Sequence, residues 1–383
     1  MKIITGTRAS AKVFTVNSPV HAVESYAVKQ IEMICGTEAA AGSRIRVMPD
    51  VHPGKVGPIG LTMTLGPVIM PGLLGIDIGC GITLAKLNTK KIEFQKLDKV
   101  IRENVPSGFA VRKRPLIRAE EFDFEELLCQ KKINTEKALL SLGTLGGGNH
   151  FIEIDRDENG MLYAAVHSGS RHTGKELTEH YLKLGQKELM NRGIRVPYEL
   201  TYLDGELKDC YLKDVKKLQE FAELNRALIL AEISGKMKWK ISDTVSCIHN
   251  YVDSSPETLK SFGAPILRKG AISAKAGEQV VIPVNMKDGI LIGTGLGNTD
   301  WNCSAPHGSG RTIKRGDVRN SITLSAFKSE MKGIYSSCIT GDTIDESPGA
   351  YRRIEEISEA VSDTVSITGR LRPVYSFKAG GKA

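Results

Sequence analysis

The feature that most constrains this chain is where its glycines fall. There are 39 of them in 383 residues. They concentrate at 54–60, 72–81, 143–148, 169–174, 289–297 and 308–310 instead of spreading evenly. Three of these clusters follow short β-prone runs: LTMTLGPVIM before the second, MLYAAVH before the fourth and QVVIPV before the fifth. A strand followed by a glycine-bearing turn is the pattern of a sheet that delivers its loops to one edge. Binding and catalytic groups commonly sit on such loops.

Helical periodicity is clearest in the middle of the chain. Over 215–232, Leu218, Phe221, Ala222, Leu224, Ala227, Leu228 and Leu230 make a broad apolar face, with Lys216, Lys217, Glu220 and Glu223 mostly outside it. A second helix is expected over 174–190. A third is expected around 134–142, after an acidic stretch at 120–128. There is no internal repeat, low-complexity tract or long linker. The expected class is α+β: one compact domain over residues 1–383 with mixed or antiparallel sheets, a central metal cleft and a helical insertion at about 175–240. No run approaches the ~20 apolar residues of a membrane span, and the start, MKIITGTRASAKVF, lacks the apolar core of a secretory signal. The expected location is cytoplasmic, with no membrane partner.

The seven cysteines are odd in number and scattered, with no CxxC pair. That argues against a disulfide framework or a zinc ribbon. A lone cysteine is usually a small buried hydrophobe, so Cys80 must be set apart by its surroundings. It sits three residues after Asp77 in GIDIGCG, a spacing that lets a carboxylate and a thiolate face one ion. Five histidine-bearing segments have loop-like contexts: DVHPGK, GGGNHF, AVHSGSRH, CIHNY and APHGSGR. Imidazole, thiolate and carboxylate together suit a borderline metal such as manganese, zinc or cobalt. The set is rich enough for two ions, with the thiolate able to bridge them. The plainer alternative is a tight turn holding a buried thiol. Asp50 and His52 receive no assigned role.

Two segments suggest phosphate. Arg268-Lys269-Gly270 places two cations beside a glycine, and His307-Gly308-Ser309-Gly310-Arg311 puts a histidine in a glycine-rich loop ending in arginine. Backbone N–H groups and guanidinium forks of this kind hold phosphate oxygens, and a histidine among them can form a phosphoramidate. Neither a Walker A sequence nor a GxGxxG turn that opens a helix after a strand is present, which argues against the ordinary ATPase and dinucleotide readings. The net charge of +8 and pI near 9.0 suit a polyanionic partner, although a solvated basic surface gives the same numbers. The densest basic run is Arg112-Lys113-Arg114.

VMPDVHPGK, GIDIGCG, GGGNHFIE, VHSGSRHTG, the His249-Asn250 pair, RKGA and HGSGR occur in the order that characterises RtcB RNA ligases, and from about Pro49 to Lys378 the chain resembles that family. The resemblance implies an RtcB-like domain that joins RNA ends bearing a 3′-phosphate or 2′,3′-cyclic phosphate to 5′-hydroxyl ends, using GTP and two Mn2+ ions, in RNA repair or tRNA splicing. Asp77, Cys80 and His150 would hold one manganese, and Cys80, His167 and His249 the other. His307 corresponds to the guanylylated histidine. The guanine nucleotide would lie against Asn149, His150, Phe151, Ile152 and Glu153, His249 and Asn250, Pro283, Val284, Asn285 and Met286, His307, Gly308, Ser309 and Gly310, and Lys378. Arg112, Lys113, Arg114 and Arg171 are the RNA-binding candidates. An activating protein partner is left open. The rival readings are a metal-dependent cyclic phosphodiesterase that no longer ligates and an RNA-binding module with a structural metal.

Overall fold

The glycine-terminated strands assemble into two large sheets. The computed structural model describes residues 1–16 and 23–379. Its first strands are β1 (Lys2–Thr5), β2 (Ser10–Val13), β3 (Ile45–His52), β4 (Ile59–Thr64), β5 (Gly81–Leu87), β6 (Phe151–Arg156) and β7 (Leu162–Ser168). There follow β8 (Ile241–Ile248), β9 (Asn250–Asp253), β10 (Ile266–Lys269), β11 (Ala271–Ser273), β12 (Gln279–Asn285), β13 (Gly289–Gly295), β14 (Ser304–Pro306) and β15 (Val365–Lys378).

One sheet is mixed, in the order β1-β2-β3-β4-β10-β9, with β2 and β3 its parallel pair. The other is antiparallel, in the order β12-β13-β15-β6-β7-β5-β8. β11 and β14 form a separate short pair. The antiparallel sheet curls until its edges meet: Cys247 Sγ on β8 lies 3.7 Å from the Gln279 carbonyl on β12. Its inner face encloses Ile82, Leu84, Val280, Ile282, Leu291 and Leu371. β15 runs through the middle, pairing with β13 along its first half and β6 along its second.

The outer face packs on helices. Because strand side chains alternate, Ile152 and Ile154 of β6 turn outward and join Ile229 and Ile233 of the helix Gly205–Met237 in one buried cluster. This 33-residue helix and its neighbour Arg171–Asn191 lie between β7 and β8, where the helical insertion is expected. Both are longer than the sequence periodicity suggests. The third expected helix spans Thr135–Ser141, with the Asn134 side chain accepting from the Lys137 N–H. The class is α+β in one compact domain. No helix among the described residues is long and apolar enough to cross a membrane.

The long helix is more than a cover. Asn225 and Arg226 on it are fully buried, and burial of a guanidinium costs several kcal/mol unless its donors are paired. Arg226 donates to the Gly79 carbonyl at 2.8 Å, the Ser168 carbonyl at 2.9 Å and Thr83 Oγ1 at 3.0 Å. Asn225 Oδ1 accepts from the N–H groups of Gly143 and Thr144, and its Nδ2 donates to Ser168 Oγ. Those partners sit in or beside three of the glycine-rich segments, so the inserted helix pins together the loops that carry the candidate ligands.

Candidate metal centre and active site

Strand register explains why the distant histidines converge. His167 lies opposite Ile82 on β5 and Phe151 on β6, and Gly81 lies opposite Ile248 on β8. Cys80 directly precedes β5, His150 precedes β6, His167 sits at the end of β7, and His249 follows β8. In an antiparallel sheet these four positions share one edge. Gly79, at φ +71°, permits the approach: a Cβ there would stand 2.8 Å from the Ala222 Cβ and 2.9 Å from the Gln219 Cα of the long helix. The close neighbour that requires glycine here is therefore the supporting helix.

Cys80 Sγ is 3.3 Å from His167 Nε2 and 3.4 Å from His150 Nε2. His150 Nε2 is 3.2 Å from Asp77 Oδ2, and His167 Nε2 is 3.4 Å from His249 Nε2. Cys80, His150 and His167 offer ligand atoms all within 4.8 Å of one another. The other ring nitrogens face backbone carbonyls: Nδ1 of His150 lies 3.0 Å from Leu145 O, and that of His167 lies 3.3 Å from Asn149 O. A carbonyl fixes a proton on Nδ1 and turns the Nε2 lone pair to the centre, the usual orientation of a metal-ligating imidazole.

The electrostatics agree with a cation-receiving site. Burial, and then their histidine neighbours, holds His167 and His249 well below the ordinary range, so both are neutral. Burial opposes ionisation of Asp77, but its interactions with His150, and then with Cys80 and Arg171, keep it below the usual carboxylate range. Burial and the Asp77 charge push the Cys80 thiol well up; a bound cation would favour its thiolate. The donor set of one thiolate, one carboxylate and three imidazoles fits a borderline divalent metal.

Beside this centre stands His307. Its ring centroid is 4.8 Å from that of His249, and its Nδ1 is 2.7 Å from Asp50 Oδ2. Asp50 is fully buried. A carboxylate at this distance accepts a hydrogen bond from Nδ1–H and leaves Nε2 with its lone pair. His307 forms part of a cavity of about 540 Å3 that also contains Asn149, Phe151, Glu153, Pro283, Val284, Asn285, Met286, Gly308, Ser309, Gly310 and Lys378. Most of the expected nucleotide contacts are thereby brought together.

The family comparison spans most of the chain. The profile described as tRNA-splicing ligase RtcB matches residues 34–134 and 127–379. The chain belongs to the RtcB family. It is 33% identical over 373 residues to RNA-splicing ligase RtcB of Escherichia coli strain K12, covering 87% of this chain and 90% of that protein. RNA-splicing ligase RtcB1 of a second Escherichia coli strain is 32% identical over 375 residues, with the same coverage. The tRNA-splicing ligase RtcB of Aeropyrum pernix is 25% identical over 423 residues, covering 86% of each chain.

Within this RtcB chain some expected contacts stand elsewhere. Ile152 points to the opposite face of β6 and is fully buried in the core. Asn250 supports the centre from below: its Nδ2 donates to the Asp77 carbonyl at 3.2 Å and its Oδ1 accepts from the Gly270 N–H at 3.0 Å. The phosphate reading of the 268–270 segment is corrected. Arg268 is fully buried and paired with Asp253 at 2.8 Å, and Lys269 Nζ donates to the Leu74 carbonyl at 3.0 Å. Arg112 is likewise committed inside, donating to the carbonyls of Asn104, Leu142 and Gly143. Lys113 and Arg114 are exposed. Arg171 lies against the centre, with Nη1 3.3 Å from His150 Nδ1.

The RtcB site also contains groups that sequence reasoning missed. Glu346 joins Lys378 and Arg311 at 2.5 Å each and Arg315 at 2.6 Å, and accepts from the Tyr351 hydroxyl at 2.8 Å. Burial works against its charge, yet Lys378, Arg311 and Arg315 hold its pKa down to about 2. Burial, more than any neighbour, keeps His52 neutral, with its pKa lowered to about 4. Arg315, Glu346 and Tyr351 lie outside the motifs quoted from the sequence, and His52 and Arg311 lie within such motifs but were assigned no site role there.

Proposed function

We propose that this chain is a GTP- and Mn2+-dependent RNA ligase that seals 3′-phosphate or 2′,3′-cyclic phosphate ends to 5′-hydroxyl ends through a guanylylated His307. The observation that carries this reading is the position of His307, oriented by buried Asp50, between a nucleotide-sized cavity and a cluster of metal-ligand side chains. The printed names of the relatives, RNA-splicing and tRNA-splicing ligases, support the same activity.

In the first step His307 Nε2 attacks the α-phosphorus of GTP. A phosphoramidate bond forms, the α–β bridge breaks and pyrophosphate leaves. Asp50 keeps the Nδ1 proton in place and offsets the charge on the substituted ring. The RNA 3′-phosphate then takes GMP from His307, and the 5′-hydroxyl attacks the activated phosphate and expels GMP. A cyclic phosphate end is hydrolysed to the 3′-phosphate first. Asp77, Cys80 and His150 would hold one manganese ion and Cys80, His167 and His249 the second. The ions would supply positive charge against the developing charge on phosphate oxygens. Lys378, Arg311 and Arg315 give the cavity further cationic character, set by the central Glu346.

Incubation with Mn2+ and GTP labelled at the α-phosphate tests the reading. The wild type should become covalently labelled and His307→Ala should not. Wild-type protein that stays unlabelled with every nucleoside triphosphate, yet opens cyclic phosphates, would sink the ligase assignment in favour of a phosphodiesterase.

A further inference from the structure

The metal centre touches a second cavity, of about 590 Å3, whose lining includes Asp77 and His150. At its rim stands Phe109, 82% exposed, although a phenyl ring loses favourable burial when left in water. The lining carries Arg171 and the exposed side chains of Lys137, Lys175 and Arg319 on the cationic side, with Asp342, Asp345 and Glu346 its carboxylates beyond Asp77.

The loop that presents this ring is fixed at its base. The Gly108 N–H donates to Gly146 O at 2.9 Å, and the Leu145 N–H donates to Pro106 O at 2.8 Å. The Arg112 N–H donates to Leu140 O at 3.0 Å, and the Arg112 side chain closes the loop from inside through Asn104, Leu142 and Gly143. Arg171 Nη2 reaches the Gly108 carbonyl at 3.4 Å while its Nη1 lies against His150. A rigidly held, solvent-facing aromatic among cations beside a phosphate-chemistry centre has the chemistry of a single-stranded nucleic-acid platform: the ring stacks a base and the cations hold the backbone.

We propose that Phe109 is a stacking platform for a base within three nucleotides of an RNA end being sealed, with Lys137, Lys175 and Arg319 holding the adjoining phosphates. This goes beyond the ligase reading but rests on it for the identity of the strand. Arg112 serves the site indirectly, as a positioning residue for the loop.

The test measures binding of the full-length protein to a fluorescent single-stranded oligoribonucleotide with a 3′-phosphate and a 5′-hydroxyl. Phe109→Ala should weaken binding roughly 5- to 150-fold, the range expected for one base–aromatic stack; Phe109→Trp should restore it. Oligoribonucleotides made abasic at each of the three terminal positions of either end locate the base. At one position the abasic RNA should bind the wild type as weakly as intact RNA binds Phe109→Ala, with no additional loss when both changes are combined. Lys137→Glu with Arg319→Glu should lower affinity and flatten its salt dependence by roughly 0.7 in log–log slope per lost phosphate contact. Labelling of His307 by GTP without RNA reports separately on the ligase reading. Unchanged RNA affinity in Phe109→Ala, or additive losses at all six abasic positions, would overturn the platform even in a protein that labels normally.

Discussion

Asp50 Oδ2 and His307 Nδ1 lie 2.7 Å apart, 257 positions apart in the chain. The carboxylate can only accept, so it selects the tautomer in which Nε2 is free to attack. An amide in its place can donate to Nδ1 and move the proton to Nε2. Asp50→Asn is therefore expected to slow His307 guanylylation on the order of 100- to 10,000-fold, the scale seen when a carboxylate that orients a catalytic histidine is replaced. The KM for GTP should change little. Single-turnover labelling rates against GTP concentration measure both quantities.

Cys80 touches two of the three histidines in the centre, so Cys80→Ser should weaken Mn2+ binding by at least about 10- to 100-fold, the loss typical of even an outer partner of a metal ligand. Far-UV circular dichroism should be unchanged. In the wild type, the ion must displace a proton that burial and Asp77 hold on the thiol. Affinity should consequently fall with falling pH, with proton release on binding. Calorimetric titration in two buffers of different ionisation enthalpy measures the release; equal heats would contradict it.

Glu346 gives a pH dependence of stability whose sign is fixed by its depressed pKa of about 2. The unfolded chain binds the proton first, near pH 4 to 5, so the contribution is present above that range and disappears as pH falls toward 2. Its size is about 3 kcal/mol. Glu346→Gln, which strands Lys378, Arg311 and Arg315 without their anion, should cost stability at pH 7. Denaturant midpoints of the variant and the wild type should converge as pH is lowered from 5 toward 3.

Arg112→Ala should cost about 2–4 kcal/mol, because three carbonyl partners lose their donor. Lys113→Ala and Arg114→Ala should leave denaturant midpoints unchanged within about 0.5 kcal/mol, as expected of surface substitutions. Equal effects across all three would show that the run acts as a surface patch.

Sequence and structure part company along a physical line. That Cys80, His150, His167 and His249 converge was legible because each sits immediately beside a strand end, so a short motif encodes both the side chain and the turn that places it. Asp50 was not, because its meaning lies in a partner brought close by the β3–β4 and β11–β14 arrangement. Arg268 and Arg112 look like Lys113 in a string of letters; only the neighbouring strand with Asp253, or the carbonyls of the 142–143 turn, shows that they face inward. Ile152 falls within a motif of pocket residues, yet strand alternation turns it away. The helices were visible by period, but the buried Asn225 and Arg226 break that period and conceal the surface that holds the metal loops.

β15 occupies the centre of the antiparallel sheet although it follows every other strand in the chain. It also ends at Lys378, on the nucleotide cavity. During synthesis, β13 and β6 lack the strand that joins them until this segment leaves the ribosome. A nascent chain can therefore bring the cysteine and histidines of the candidate metal centre together before it can close the cavity around His307, and the ligase reading then requires activity to wait for translation to pass β15.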